Sequence, residues 1–342
     1  MEQNADLIAA AIKGSLSIID QDRERKIVEK RFGLSGSKET LEQIGETLSV
    51  TRERVRQLEK VILVRLRIAA KDNKIPDLPA AEKLIVRNLA ELGRVARVAT
   101  LAEKIFGTSA SNADRASLSF LADISANLTI VTENDKYYPA IAIADAGDEK
   151  ALRAKVDTIV KLIKENKAPM TLDELDQKLD YEHPSQIAAV ASVSKQLATL
   201  NGLWGLVKWP AVNPKNIRDK IYVILETQKE PMHFNDIAAA IADSNFKRKN
   251  VTTQAIHNEL IKDPRFVLIG RGIYALDTWG YKKGTVSEII TAVLKEANHP
   301  LSREEIVAEV MKSRKVKETT ILLNLQNKKL FKKVDKNAFT LA

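Results

Sequence analysis

Cysteine is absent from the 342 residues, which excludes disulfides, thiolate metal sites and a thiol nucleophile and fits a reducing compartment. No apolar run approaches the roughly 18 residues that a membrane span needs. The start Met1-Glu2-Gln3-Asn4-Ala5-Asp6 lacks the basic region of a signal peptide, so the chain is expected to be cytoplasmic with no membrane partner. No glycine-rich phosphate loop occurs, because Gly270-Arg271-Gly272 lies between two strand-like runs and opens no helix. His183, His233, His257 and His299 show no metal-ligand spacing. These absences make an enzyme, a metal site and a cofactor unexpected; scattered carboxylates meeting in space remain a route to a nuclease site.

What is present is a folded, basic chain. A hydrophobic content of 44% supports packed cores, and the length calls for two or more domains. The net charge of +9 is spread unevenly. Residues 1–75 carry +3 and 282–342 carry +6, whereas 76–149 carry −4. The two ends are the places to look for a nucleic-acid surface.

Residues 23–67 hold the strongest pattern. Leu41, Ile44, Leu48, Val50, Val55 and Leu58 are spaced so that two short helices bury a common face across a tight bend, with Gly45 permitting close approach. Thr40 with Gln43 forms a capping box for the first helix, and Thr51 is placed to cap the second. From Thr51 to Arg67 the basic residues Arg52, Arg54, Arg56, Lys60, Arg65 and Arg67 face only Glu53 and Glu59. Arg52, Glu53 and Gln57 lie opposite Val55 and Leu58, at the end of a helix that can enter a major groove. There Arg pairs with guanine, Gln with adenine, and Glu accepts from cytosine. An ordinary amphipathic helix with a solvated basic face would explain the charge, but not the order of side chains.

Residues 23–28 (Arg-Glu-Arg-Lys-Ile-Val), 31–34 (Arg-Phe-Gly-Leu), 40–45 (Thr-Leu-Glu-Gln-Ile-Gly) and Val50 through Glu59 closely resemble region four of primary sigma factors. The resemblance implies a helix-turn-helix that reads the upstream promoter hexamer on double-stranded DNA and docks on the beta flap of RNA polymerase core. It further implies base contacts by Arg52, Glu53 and Gln57 and phosphate contacts by Thr51, Arg54 and Arg56; Lys60, one turn on, joins the phosphate set. Two departures stand out: Ser49 occupies the turn position where the family usually has Gly, and Val64 replaces a usual basic residue. A sigma factor also needs aromatic and basic residues on a helix that captures unpaired bases. No such segment is visible, and Leu7, Ile8, Ile12, Leu16 and Ile19 are expected to form a further amphipathic helix on the same domain. The chain is therefore not expected to melt promoters alone.

Beyond residue 75 an internal repeat emerges from helix-start signals. Thr100 to Glu103, Thr171 to Glu174 and Ser302 to Glu305 are capping-box patterns, and Asn235-Asp236 takes the same place in another copy. Pro169-Met170, Pro231-Met232 and Pro300-Leu301 precede three of these. Each copy ends in two short strands around a turn: Thr129–Val131 with Tyr137–Ile141, Phe266–Ile269 with Ile273–Leu276, and Leu330–Val334 with Ala338–Leu341. Helix, strand, helix, helix, hairpin is the order of a winged helix. The fold expected is mainly α with small β-hairpin wings. A sigma region-four-like helix-turn-helix (1–75) is followed by four tandem winged helices at 80–145, 150–210, 215–281 and 284–342, the last one basic.

Trp204 with Trp209, and Tyr274 with Trp279, repeat one aromatic spacing, best explained by rings that seal the wing strands onto the core. The copies that carry them, with Pro169-Met170-Thr171 and Pro231-Met232-His233-Phe234, resemble the HARE-HTH winged-helix family, which includes the N-terminal domain of the RNA polymerase delta subunit. Known delta subunits continue into a long acidic tail, whereas this C-terminus is basic. Lys312, Arg314, Lys315, Lys317, Lys328, Lys329, Lys332, Lys333 and Lys336 offer a second phosphate-binding face or a solubilising surface. Lys247-Arg248-Lys249 has the same two readings. Two functions remain: a promoter-reading transcription factor, or a polymerase-associated scaffold that mimics sigma and uses its winged helices for protein contacts. The sequence sets no oligomeric state.

Overall fold

Capped amphipathic helices dominate, with short antiparallel strands between them. The computed structural model describes every residue except Met1, Asp180, Lys249 and Lys336; the expected roles of Lys249 and Lys336 lie outside the described residues. The chain forms two compact units, residues 1–208 and 209–342.

The first unit begins with α1 (Glu2–Ser17), α2 (Asp22–Phe32), α3 (Leu41–Leu48) and α4 (Arg52–Lys71). It continues through α5 (Leu78–Glu91), β1 (Val95–Arg97), α6 (Val98–Phe106), α7 (Asn112–Ile124), β2 (Leu128–Val131) and β3 (Ala140–Ile143), with β3 central in an antiparallel sheet of order β1-β3-β2. Then come α8 (Glu149–Asn166), α9 (Leu172–Asp176), α10 (Pro184–Ser192), β4 (Leu197–Leu200) and β5 (Leu203–Leu206). Here Met170 makes only an isolated bridge to Trp204 beside the β4-β5 pair.

The joint expected near residues 75–79 is packed rather than loose. Ile75 and Leu78 are buried in a core that also takes Ile8, Ala11 and Ile19 from the N-terminal segment, Ile62 and Leu66 from α4, and Leu118, Phe120 and Leu121 from α7. Phe32 meets Phe120 edge-on at 5.1 Å between ring centroids, and Arg67 bonds the Asp123 carboxylate at 2.7 Å. The expected N-terminal helix exists and packs chiefly on α5, α6 and α7, in a core it shares with Val28 of α2 and Ile62 and Leu66 of α4. Its apolar stripe clasps the following segment because that is where uncovered apolar surface lies.

The second unit contains α11 (Ile217–Gln228), β6 (Met232–His233), α12 (Phe234–Asp243), α13 (Thr253–Lys262), β7 (Phe266–Gly270) and β8 (Ile273–Leu276). It ends with α14 (Val286–Ala297), β9 (Leu301–Ser302), α15 (Arg303–Ser313), α16 (Glu318–Leu325), β10 (Phe331–Lys333) and β11 (Ala338–Leu341). The sheet orders β6-β8-β7 and β10-β11-β9 place the last strand of each hairpin in the centre. Trp204 and Tyr274 are buried, with Trp209 and Trp279 half-buried, so these rings do seal strands onto cores.

Three local expectations are corrected. Thr100 is not a cap: β1 runs directly into α6, which starts at Val98 after Arg97. In α12 the cap is His233, whose Nδ1 accepts from the Asn235 amide at 3.2 Å. Tyr137 stands outside β3 and bridges Ser194 instead, so the strand runs from Ala140. The boxes at Thr171 and Ser302 form, and Ser111 with Asp114 and Thr285 with Glu288 add two more.

One ion-pair network gives the second unit a pH signature. The Asp263 carboxyl is held below its ordinary value of 3.8, chiefly by the hydrogen bond from Arg265, which also reaches Asp219. A depressed carboxyl contributes stability that is complete above its unfolded pKa and is lost as pH falls through the folded one. Asp263→Asn is thus expected to lower stability at neutral pH and to flatten its decline below pH 3.8. Urea midpoints of both proteins across the acid range measure this; parallel curves would refute it.

Candidate nucleic-acid interface

The α3-turn-α4 geometry is built by local chemistry. The Gln43 amide donates to Thr40 Oγ1 at 3.3 Å, and the Thr40 amide donates to Gln43 Oε1 at 2.9 Å, which closes a capping box on α3. α3 ends at Ser49 in the left-handed conformation, φ +53°, which explains why glycine suits this position. The Val50 amide returns to the Gly45 carbonyl at 2.9 Å, and a Cβ on Gly45 would stand 2.6 Å from the Val50 carbonyl oxygen. Thr51 then starts α4 by accepting from the Arg54 amide at 3.2 Å. Ile27, Ile44 and Val55 are fully buried beneath this bend, flanked by Leu41, Leu48, Val50 and Leu58.

That core forces the opposite side of α4 outward. Thr51, Arg52, Glu53, Arg54, Arg56, Gln57 and Lys60 are all exposed. They share one end of one helix, the arrangement a groove-entering helix needs. The N-terminal amides and the helix dipole add a positive field there.

The basic residues are not equally free. Arg56 makes a two-pronged bond to Glu53 at 2.7 and 2.8 Å, and Gln57 reaches the same carboxylate at 3.5 Å. The hydrogen bond from Arg56 holds the Glu53 carboxyl below its ordinary value. Arg65 is held by the largely buried Glu24 at 3.0 Å and Arg67 by Asp123, so these two brace the fold. Among the described residues, Arg52, Arg54 and Lys60 have no side-chain partner. Two residues outside the expected set steady the helices: Arg23 donates to the Leu48 carbonyl at 2.8 Å, and Arg31 pairs Glu59 at 3.1 Å. Charge opposite charge on neighbouring elements was the signal for the second.

The C-terminal cluster divides. Lys312, Lys315, Lys317, Lys332 and Lys333 are exposed, with Lys312 paired to Glu309 at 2.6 Å. Arg314 is only 8% exposed and Nη1 donates to the Leu268 carbonyl, so it is withdrawn from any duplex-facing surface. It lies in the α15–α16 connection with its guanidinium turned against β7, unlike the exposed lysines around it. Val61, Val64 and Ile68 are exposed apolar residues along the later turns of α4. Among the described residues no acid or histidine group could hold a metal ion, and no helix is long and apolar enough to cross a membrane.

Comparison with known proteins locates a family domain here. Residues 21–67 match Sigma-70, region 4. That region is a DNA-binding helix-turn-helix which, in sigma factors, contacts the upstream promoter element together with RNA polymerase. The chain is 45% identical over 56 residues to the RNA polymerase sigma factor SigA of Clostridium acetobutylicum, covering 16% of this chain and 15% of that protein. It is 49% identical over 55 residues to the RNA polymerase sigma factor RpoD of Helicobacter pylori strains 26695 and J99, covering 15% of this chain and 8% of each relative. The chain thus spans no more than 15% of the length of these curated relatives.

Proposed function

We propose that this protein is a DNA-binding transcription factor that reads a sigma-type upstream promoter element through α4 and acts with RNA polymerase core at its beta flap. Arg52, Glu53 and Gln57 read base edges, and Thr51, Arg54, Arg56 and Lys60 hold phosphates. The observation that carries this reading is the exposed, capped start of α4, with Arg52 and Arg54 unpaired above an intact helix-turn-helix core. Glu53 and Arg56 exchange each other for a base and a phosphate on binding; both are solvent-exposed, so releasing the pair opposes binding little. The function is binding rather than catalysis and needs no cofactor.

In this proposal segments 80–145, 150–210, 215–281 and 284–342 are tandem winged helices, with 150–210 and 215–281 of the HARE-HTH type. The recurring succession of helix, strand or bridge, two helices and a hairpin supports this. Lys312, Lys315, Lys317, Lys332 and Lys333 serve as secondary nucleic-acid contacts. Gln57→Ala or Arg52→Ala is expected to reduce discrimination between promoter and scrambled duplex by about 1–3 kcal/mol per lost base contact. Titrations at fixed salt measure it, and equal affinity of the unsubstituted protein for both duplexes would overturn the proposal. Lys60→Ala should instead weaken both duplexes alike and shallow the salt dependence, as a phosphate contact does.

A second reading, a polymerase-associated scaffold that mimics sigma, is favoured by the continuous core joining α4 to the acidic 76–149 segment. It predicts recovery of polymerase subunits with tagged protein even after Gln57→Ala. Their absence would count against it.

A further inference from the structure

The second unit contains a groove of about 440 Å³, lined by Pro231, Tyr281, Met311 and the run Arg314, Lys315, Val316, Lys317. Its volume lies in the ordinary range for small-molecule sites, roughly 300–1,000 Å³. The floor is rigidly built. The Lys315 amide donates to the Ile269 carbonyl at 2.9 Å, Arg314 donates to the Leu268 carbonyl, and Gly270 lies so close that a Cβ there would meet the Lys315 carbonyl oxygen at 2.6 Å. Three cations line the groove and no carboxylate does.

Arg314 is the informative member. It is more than nine-tenths buried, its Nε is shielded from water with no acceptor, and Nη1 is taken by a neutral carbonyl. Glu288, the acid whose charge reaches it, is engaged by the Thr285 amide and hydroxyl. A buried guanidinium without an anion is costly, and an incoming anion relieves that cost. The other side is apolar: Tyr281 packs half-buried with Trp279 against one core, and the 51% exposed Met311 shares the wall with Pro231 and Val316.

The geometry points to a binding site for a phosphorylated nucleoside, with the phosphates on Arg314, Lys315 and Lys317 and the flat base against Tyr281, Met311 and Pro231. The ligand is either a free nucleotide or the phosphorylated end of a single strand. This site is separate from α4 and does not depend on promoter reading, so each can fail without the other.

Calorimetric titration of the full chain with ATP, a short 5′-phosphorylated single strand, adenosine and tripolyphosphate tests it. Saturable binding of ATP identifies the free nucleotide, and binding of the strand without ATP identifies the strand end. In either case Lys315→Ala/Lys317→Ala, which alters exposed side chains only, is expected to weaken binding about tenfold or more through lost charge-assisted bonds. Tyr281→Ala should weaken ATP but not tripolyphosphate. Tripolyphosphate binding as tightly as ATP, an unchanged affinity in the double-lysine variant, or no saturable binding of either phosphorylated probe would overturn the assignment.

Discussion

Phe120→Ala is expected to destabilise the first unit by about 3–5 kcal/mol, the usual range for deleting a buried aromatic ring. Phe120 is fully buried and its ring is met edge-on by Phe32 of α2, in the core where α7 touches both α2 and α4. The loss combines removed apolar burial with a cavity that surrounding helices cannot close, because α1, α2 and α4 pack against α7 from several sides. If the helix-turn-helix were independent, only segment 80–145 would suffer. The shared core predicts instead that amides in α4 lose protection together with those in α7 during native-state hydrogen exchange. Retention of α4 protection in the variant would show that the two segments are thermodynamically separate. The result bears on function, since a helix-turn-helix anchored in this way presents α4 from a fixed platform.

Much of that platform was invisible in the sequence for a physical reason. Periodicity in α1 reveals which residues are buried, yet not against what: Ile8 satisfies any apolar surface, and the choice of α5 to α7 is tertiary. The bend from Thr40 to Val55 is different, because its capping box, glycine contact and the burial of Ile44 and Val55 act between residues near each other in the chain, whereas Ile27 of α2 completes that core from outside it. Those features were legible, and so was the exposed set from Arg52 to Lys60. The partners of the cations were not. That Arg65 belongs to the Glu24 carboxylate and Arg314 to the Leu268 carbonyl depends on groups separated by 41 and 46 positions, and charge counts along a segment carry no such information. The three-residue offset between the expected cap Thr100 and the actual cap of α6 has the same origin in Arg97, whose strand pairing with Ala140 places the α6 start before Thr100.

Gly45→Ala should damage promoter recognition more than loss of any single base contact. Replacing glycine by alanine inside a helix ordinarily stabilises it by about 1 kcal/mol. Here the new Cβ would stand 2.6 Å from the Val50 carbonyl oxygen, and that atom cannot yield as a flexible side-chain tip would. Val50 is tied back to Gly45 through its own amide, lies next to the left-handed Ser49, and directly precedes the Thr51 cap. Overpacking against such backbone costs about 1–3 kcal/mol, so strain outweighs the propensity gain. Relief comes by opening the turn, which swings the start of α4 and displaces Arg52, Glu53 and Gln57 at once. Discrimination between promoter and scrambled duplex is therefore expected to fall further in Gly45→Ala than in Gln57→Ala, with thermal stability also reduced. Ser49→Gly is the opposite-signed control: it removes the left-handed penalty of a Cβ, worth about 1 kcal/mol, and should raise stability while leaving recognition intact. An unchanged melting temperature and full discrimination in Gly45→Ala would mean that the bend tolerates a methyl group and that close approach at Gly45 does not set the aim of α4.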